Sequence, residues 1–141
     1  CLAANLSGKA ISISKTTAPH AISYPFTSLY NISHGHAVSL TLEKFLKFNF
    51  INYKKANCNF DLNLRYKSIF SIFGVRDIIE LENFFIEMKK KAKLEDNFKK
   101  LKINLDSNID RLIDGINLLR LQNNPIILNK NDIKTILLKS N

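Results

Sequence analysis

The chain is short of the residues that staple or anchor a protein. Two cysteines, Cys1 and Cys58, are too few for a disulfide framework or a zinc ribbon, and their scarcity fits a reducing cytoplasm. No apolar run is long enough to span a bilayer, and residues 1–15 lack both a basic opening and the hydrophobic stretch of a signal peptide, so no membrane partner is expected. Methionine does not open the chain; Cys1 does, and the expectation is a piece of something larger. Strand signals are missing as well: no alternation of apolar and polar residues lasts more than a few positions. Repeats and low-complexity linkers are absent, and carboxylates are few, 12 against 21 lysines and arginines.

What remains is enough for one domain: 141 residues, 45% of them hydrophobic, can bury a proper core. The net charge of +9 raises the question of nucleic acid. Seventeen of the 21 basic residues are lysine, however, whereas a phosphate-gripping surface leans on arginine interleaved with aromatics. Runs such as 89-KKKAK-93 and 99-KKLK-102 therefore read as solvated helix sides, and no nucleic-acid partner is expected.

The periodic segments are helical. Asp77 and Glu80 form a capping-box pattern for residues 78–92, where Ile78, Leu81, Phe85 and Met88 share one face. Ser107 is expected to open a second helix with Ile109, Leu112, Ile113, Ile116 and Leu119 as its buried stripe, and Pro125 to stop it at 122-QNNP-125. Asn129 is placed to cap a last helix carrying Ile133, Ile136 and Leu137, with Asp132 near its positive end. Upstream, residues 36–50 are helical in spacing, with Leu40, Phe45 and Phe48 toward a core. Residues 52–59 read as a loop, and residues 61–74 as a helix ending on Gly74. The expected architecture is all-α, a bundle of about six or seven helices.

All three histidines, His20, His34 and His36, lie within seventeen positions. His34 and His36 are two apart, so on a helix they point about 200° from one another and cannot share an ion. His20 and His34 instead end different segments: Pro19 suits the start of a helix after Thr16 and Thr17, and 32-ISHG-35 reads as the turn before the next. Imidazoles near adjoining helix starts can converge on one cavity, as in metal sites built from separate bundle elements. Phe26, Leu29 and Tyr30 are expected to be core.

The string 8-GKAISISKTTAPHAISYPFTSLYNISHGHAVSLTL-42 closely resembles the C-terminal, all-helical domain of the iron-containing (group III) alcohol dehydrogenases. In that family a segment of the form xxHAxxxxLxxxYxxxHGxxxAxxLP carries two histidine ligands of the catalytic divalent metal, fourteen positions apart. His20 and His34 have that spacing, followed by Ala21 and Gly35, and 123-NNPIILNKNDIKTILLKS-140 is similar to the family's closing segment.

The resemblance implies a two-domain enzyme whose Rossmann-like N-terminal domain, with its glycine-rich loop and an Asp-x3-His pair of further ligands, lies outside residues 1–141. It implies His20 and His34 as ligands of a divalent metal, Fe²⁺ or Zn²⁺, and NAD(H) or NADP(H) held mainly by the other domain. It further implies a small alcohol or aldehyde substrate, and an intact protein able to form homo-oligomers. Two imidazoles cannot hold an ion firmly by themselves, so residues 1–141 alone are expected to be inactive.

Many family members carry a histidine four residues after the first ligand, and this chain has Tyr24 there, one turn beyond His20 and facing the same cavity. Tyr24 thus stands as the catalytic candidate, although a phenol shuttles protons less readily near neutrality than an imidazole. The forms APHAISY and HGHA look most like the subgroup that includes phosphonoacetaldehyde reductases, for which Lys15 and His36 are candidates to neutralise an anionic substrate. The competing expectation is a non-catalytic basic helical interaction module or a decayed gene fragment whose histidines cluster by chance.

Overall fold

The computed structural model describes residues 1–138. Among them the chain forms nine α-helices and one 3-10 turn, with no strand: α1 (Leu2–Ile13), α2 (Ala18–Tyr30), α3 (His34–Ser39), α4 (Leu42–Ile51), the turn Tyr53–Lys55, α5 (Leu62–Phe73), α6 (Ile78–Lys91), α7 (Leu105–Asp114), α8 (Leu118–Leu121) and α9 (Lys130–Leu138). The last residues of the closing segment read from the sequence, Lys139 and Ser140, lie outside the described residues. No helix among the described residues is long and apolar enough to cross a membrane.

The helix α2 is the axle of the fold, packing against α3, α4, α7 and α8. Its Ala18, Ala21, Ile22 and Phe26 are fully buried at three- and four-residue spacing, which puts one continuous stripe into the main core with Ile109, Leu112 and Ile113 of α7 and Ile133 and Leu137 of α9. Phe26 stacks on Phe98 at 5.8 Å between ring centroids, and Leu29 and Tyr30 pack against the same core. Pro25 sits inside α2 and has no N–H for the carbonyl of Ala21. The helix survives because its neighbours are buried on several sides. At Gly115 a Cβ would lie 3.2 Å from the Pro25 Cβ, so the end of α7 approaches α2 closely only because it carries no side chain there.

A second core holds Leu62, Tyr66 and Phe70 of α5 against Ile78, Leu81 and Phe85 of α6, and Phe48 of α4 touches both cores. The Tyr66 hydroxyl donates to the Leu46 carbonyl at 2.7 Å, so its polar end is satisfied within the apolar cluster. Asn49 and Asn124, both buried, exchange side-chain amide bonds of 3.1 and 2.9 Å and tie α4 to the turn before Pro125.

Local signals acted as expected where the chain supplies its own cap. The Asp77 carboxylate accepts from the N–H groups of Ile79 and Glu80, Gly74 ends α5 with φ of 65°, and Asn129 and Asp132 cap α9 reciprocally at 2.9 and 3.0 Å. Glu80 returns its half of the first box to the N–H of Arg76 rather than to Asp77. Four expectations need correction. The helix of residues 36–50 is broken at Leu40–Thr41 into α3 and α4. Ser107 lies inside α7, which starts two residues earlier because the Asn104 side chain caps it. That helix stops at the Asp114-Gly115 pair; Asn117 then caps the short α8, and the rotation between the two leaves Leu119 exposed. On α6, Met88 is exposed, and the buried position beside it belongs to Lys89.

Lys89 can be buried because it is neutralised. Its Nζ lies 2.7 Å from Oε1 of Glu43 on α4, each side chain 4% exposed, and 3.4 Å from Oδ2 of Asp96. This pair cross-links α4 and α6. Splitting the segment 36–50, adding α1 ahead of His20 and dividing the 107–121 helix account for nine helices in place of six or seven. Helix α1 has no buried residue, and its Leu2, Leu6, Ile11 and Ile13 face outward.

Candidate functional site

Helix α2 begins after Thr17 with Pro19 in its first turn, and this start places His20, Ser23 and Tyr24 on one face at three- and four-residue spacing. Asn31 ends the helix in the left-handed conformation, φ 54°. The chain turns through Ile32 and Ser33, and α3 opens with His34 as its first residue. Because α2 and α3 pack together, the turn folds His34 back over the first half of α2.

The rings of His20 and His34 meet edge to face with centroids 4.5 Å apart. The Tyr24 ring lies 5.5 Å from His20 and 5.3 Å from His34, completing an aromatic triangle at the surface. His20 is half-buried, and His34 and Tyr24 are more exposed, so the triangle has one open side.

The hydrogen bonds orient both rings and assign their tautomers. The buried Ser23 hydroxyl makes its shorter contact, 2.7 Å, with the carbonyl of His20, and this takes its single proton. Its contact of 3.2 Å with Nδ1 of His34 must then run the other way, with the imidazole N–H donating to the Ser23 oxygen. In the neutral ring this makes Nε2 the lone-pair nitrogen of His34. On His20 the order is similar: Arg120 of α8 donates through Nη1 to the Tyr24 hydroxyl oxygen, and the Tyr24 O–H, 3.2 Å away, donates to Nε2 of His20. In the neutral form each imidazole thus has its lone pair at Nε2, on His20 the atom that accepts from Tyr24. Burial, then the neighbouring His34, then Arg120 hold the pKa of His20 below the usual imidazole value, which keeps it neutral at pH 7 and in the form that can donate a lone pair.

Ser23 and Arg120 have no counterpart in the sequence reading. Ser23 is one helical turn beyond His20, and a serine there could equally cap, pack or face solvent. Arg120 lies 96 positions from Tyr24, and only the packing of α8 on α2 joins them.

The other candidates fall elsewhere. Nε2 of His36 donates to the Glu95 carbonyl at 2.6 Å and ties α3 to the segment after α6, so His36 is a structural link outside the triangle. Lys15 lines a separate cleft with Thr17, Arg65 and Gln122. Two neutral imidazoles suit a borderline divalent ion such as Fe²⁺ or Zn²⁺. Among the described residues no third histidine, cysteine or carboxylate joins them, so these residues fit half of a coordination sphere.

The Fe-containing alcohol dehydrogenase family's C-terminal domain model matches residues 1–141, and the chain belongs to that family. An all-helical domain with paired imidazoles at the start of two adjoining helices is what this class presents here. Among individual proteins, the chain is similar to a phosphonoacetaldehyde reductase of Streptomyces viridochromogenes, 47% identical over 47 residues, a stretch that covers 33% of this chain and 12% of that enzyme. No solved structure matches.

Proposed function

We propose that residues 1–141 form the metal-holding half of an NAD(P)-linked alcohol dehydrogenase, or aldehyde reductase, in which His20 and His34 are two ligands of the catalytic divalent ion. The reading rests on one observation: in a chain of this family, the rings of His20 and His34 are in contact, each held by a hydroxyl, Tyr24 at Nε2 of His20 and Ser23 at Nδ1 of His34. A bound Fe²⁺ or Zn²⁺ would supply Lewis acidity, lowering the pKa of an alcohol oxygen or polarising an aldehyde. The remaining ligands and the dinucleotide site belong to a further domain in this reading, and residues 1–141 alone hold metal weakly and do not catalyse.

Each nearby side chain has a task in that scheme. Ser23 holds the proton on Nδ1 of His34 and so keeps Nε2 available. Tyr24 turns its O–H toward Nε2 of His20 because Arg120 occupies the acceptor side of the oxygen, and it is the side chain that would hand a proton to the substrate oxygen. A cytoplasmic setting fits Cys1 and Cys58, neither of which is in a disulfide.

The test is metal content and NAD(P)-dependent aldehyde reduction of the full-length protein beside His20→Ala and His34→Ala. Loss of most bound metal and of activity in both variants is expected. Metal content and rate unchanged in both would remove the assignment.

A further inference from the structure

We propose that Lys44 is a nucleophilic amine that captures short, uncharged aliphatic aldehydes as a reversible imine, in two clefts beside α4. This site stands apart from the proposed metal centre, because His20, Tyr24 and His34 line neither cleft.

Lys44 lies between a cleft of about 510 Å³ toward α9 and one of about 310 Å³ toward the segment after α6. Phe48, Ile51 and Ile136 give the larger cleft an apolar wall. Three carboxylates are near, but two other lysines take them. Lys47 is 2.7 Å from Glu82, and Lys89 is 2.7 Å from Glu43 and 3.4 Å from Asp96. Among the described residues the Lys44 ammonium makes neither a hydrogen bond nor an ion pair, and it rests over the face of Phe98, 4.7 Å from the ring centre. An ammonium brings three donors, so leaving all three without a protein partner in a half-buried place disfavours the charged form. Burial lowers the pKa of Lys44 to about 8; Glu43, Asp96 and Glu82 oppose the fall, and Lys89 adds to it. At pH 7 about one such amine in ten is unprotonated, against about one in three thousand for an ordinary lysine. A free amine that lines a cleft is a nucleophile.

The neighbouring charges select the electrophile. Apart from Lys44, the cluster holds three carboxylates, Glu43, Glu82 and Asp96, against two lysines, Lys47 and Lys89, which leaves one negative charge in surplus. Acylation of Lys44 would leave that surplus uncovered, and a carbamate formed from carbon dioxide would add a second negative charge. Condensation with an aldehyde keeps a nitrogen that can carry positive charge. The amine attacks the carbonyl carbon, a C=N bond replaces the C=O bond, and the oxygen leaves as water with the two hydrogens of the amine. The imine then takes up a proton and becomes an iminium, a cation still over Phe98 and among the carboxylates. Glu43 also lines the smaller cleft, and its Oε2 has no hydrogen-bond partner, so it can receive the proton that the nitrogen sheds as the bond forms. No oxidant or reductant enters this step. The same surplus of negative charge repels an aldehyde that carries an anionic group, and the apolar wall favours an alkyl chain.

The experiment incubates the full-length protein at pH 7 with butanal and sodium cyanoborohydride, which reduces the iminium to a stable secondary amine. Peptide mass spectrometry then reads occupancy at each lysine against time. Lys44 should be labelled about 10- to 100-fold faster than the median lysine, less than the ratio of free amines because a weaker base is also a weaker nucleophile. Glyoxylate, which carries a carboxylate, should lower that preference for Lys44 at least about fivefold. Butanal without the reductant should leave no added mass after dilution. Lys44→Arg keeps a cation over Phe98 and should lose the fast site while the other lysines keep their rates. The main comparison is among lysines of the wild-type chain, so it holds even if the variant fails to fold. Labelling of Lys44 no faster than the median lysine overturns the proposal. An equal preference with glyoxylate overturns the uncharged substrate class, and added mass that survives dilution without reductant overturns reversible capture.

Discussion

Removing one buried hydroxyl should weaken metal binding far more than it weakens the fold. In Ser23→Ala the oxygen that receives the Nδ1 proton of His34 is lost, and Ser23 is fully buried, so water has no route to replace it. The fold loses little, because the other partner of the hydroxyl, the His20 carbonyl, remains within the ladder of α2. A neutral hydrogen bond is worth about 0.5–1.5 kcal/mol net, and alanine recovers part of that through its better helix propensity. The expected change in stability is thus under about 1 kcal/mol. The proposed metal site loses more: without a partner at Nδ1 the ring turns freely and the proton can move to Nε2, the atom proposed as the ligand. Losses of outer hydrogen bonds to metal-bound histidines run at about 10- to 100-fold in affinity, roughly 1.4–2.7 kcal/mol. Zn²⁺ competition against a chelator in the full-length protein, paired with a urea unfolding curve, reads both numbers. An affinity within twofold of wild type, or one that falls only in step with stability, would refute the tautomer assignment.

Two further outcomes follow from the buried charges. Lys89→Met strands the Glu43 carboxylate, whose Oε2 already has no hydrogen-bond partner, and should cost about 3–5 kcal/mol by denaturant midpoint; Glu43→Leu with Lys89→Met should cost less than half as much, and equal losses would deny the pairing. Lys44, its ammonium 4.7 Å from the Phe98 ring, has its pKa lowered to about 8, chiefly by burial, with Glu43, Lys89, Asp96 and Glu82 as charged neighbours. Between about pH 8 and the ordinary lysine value the unfolded chain binds the proton that the folded chain has released, so stability should rise with pH across that window relative to Lys44→Met. Parallel pH profiles for the two proteins would show that Lys44 is not depressed.

Local instructions were readable wherever a short segment contains its own physics. Asp77, Gly74 and the Asn129–Asp132 pair satisfy helix-end groups within four residues, so composition at those positions suffices to place an end. The errors arose where two local signals compete. Ser107 and Asn104 are both acceptable caps, and the earlier one wins because it lets Leu105 join the core beside Ile109 and Leu112. The periodic face of α6 offered Met88 to the interior, but Glu43 lies across from Lys89, and an ion pair spanning 46 positions is invisible to a helical-wheel argument.

The candidate site divides in the same way. The sequence by itself determined the all-helical fold, and through the spacing of His20 and His34 it determined which two imidazoles could meet, since both the helix starts and the turn between them are written in neighbouring residues. Only the tertiary structure decided how those rings are oriented and what charge faces them. Ser23 acquires its role when α3 folds back on α2, and Arg120 acquires its role when α8 packs beside Tyr24. Both depend on distances between separate helices, which are set by the filling of a common core rather than by any pattern along the chain.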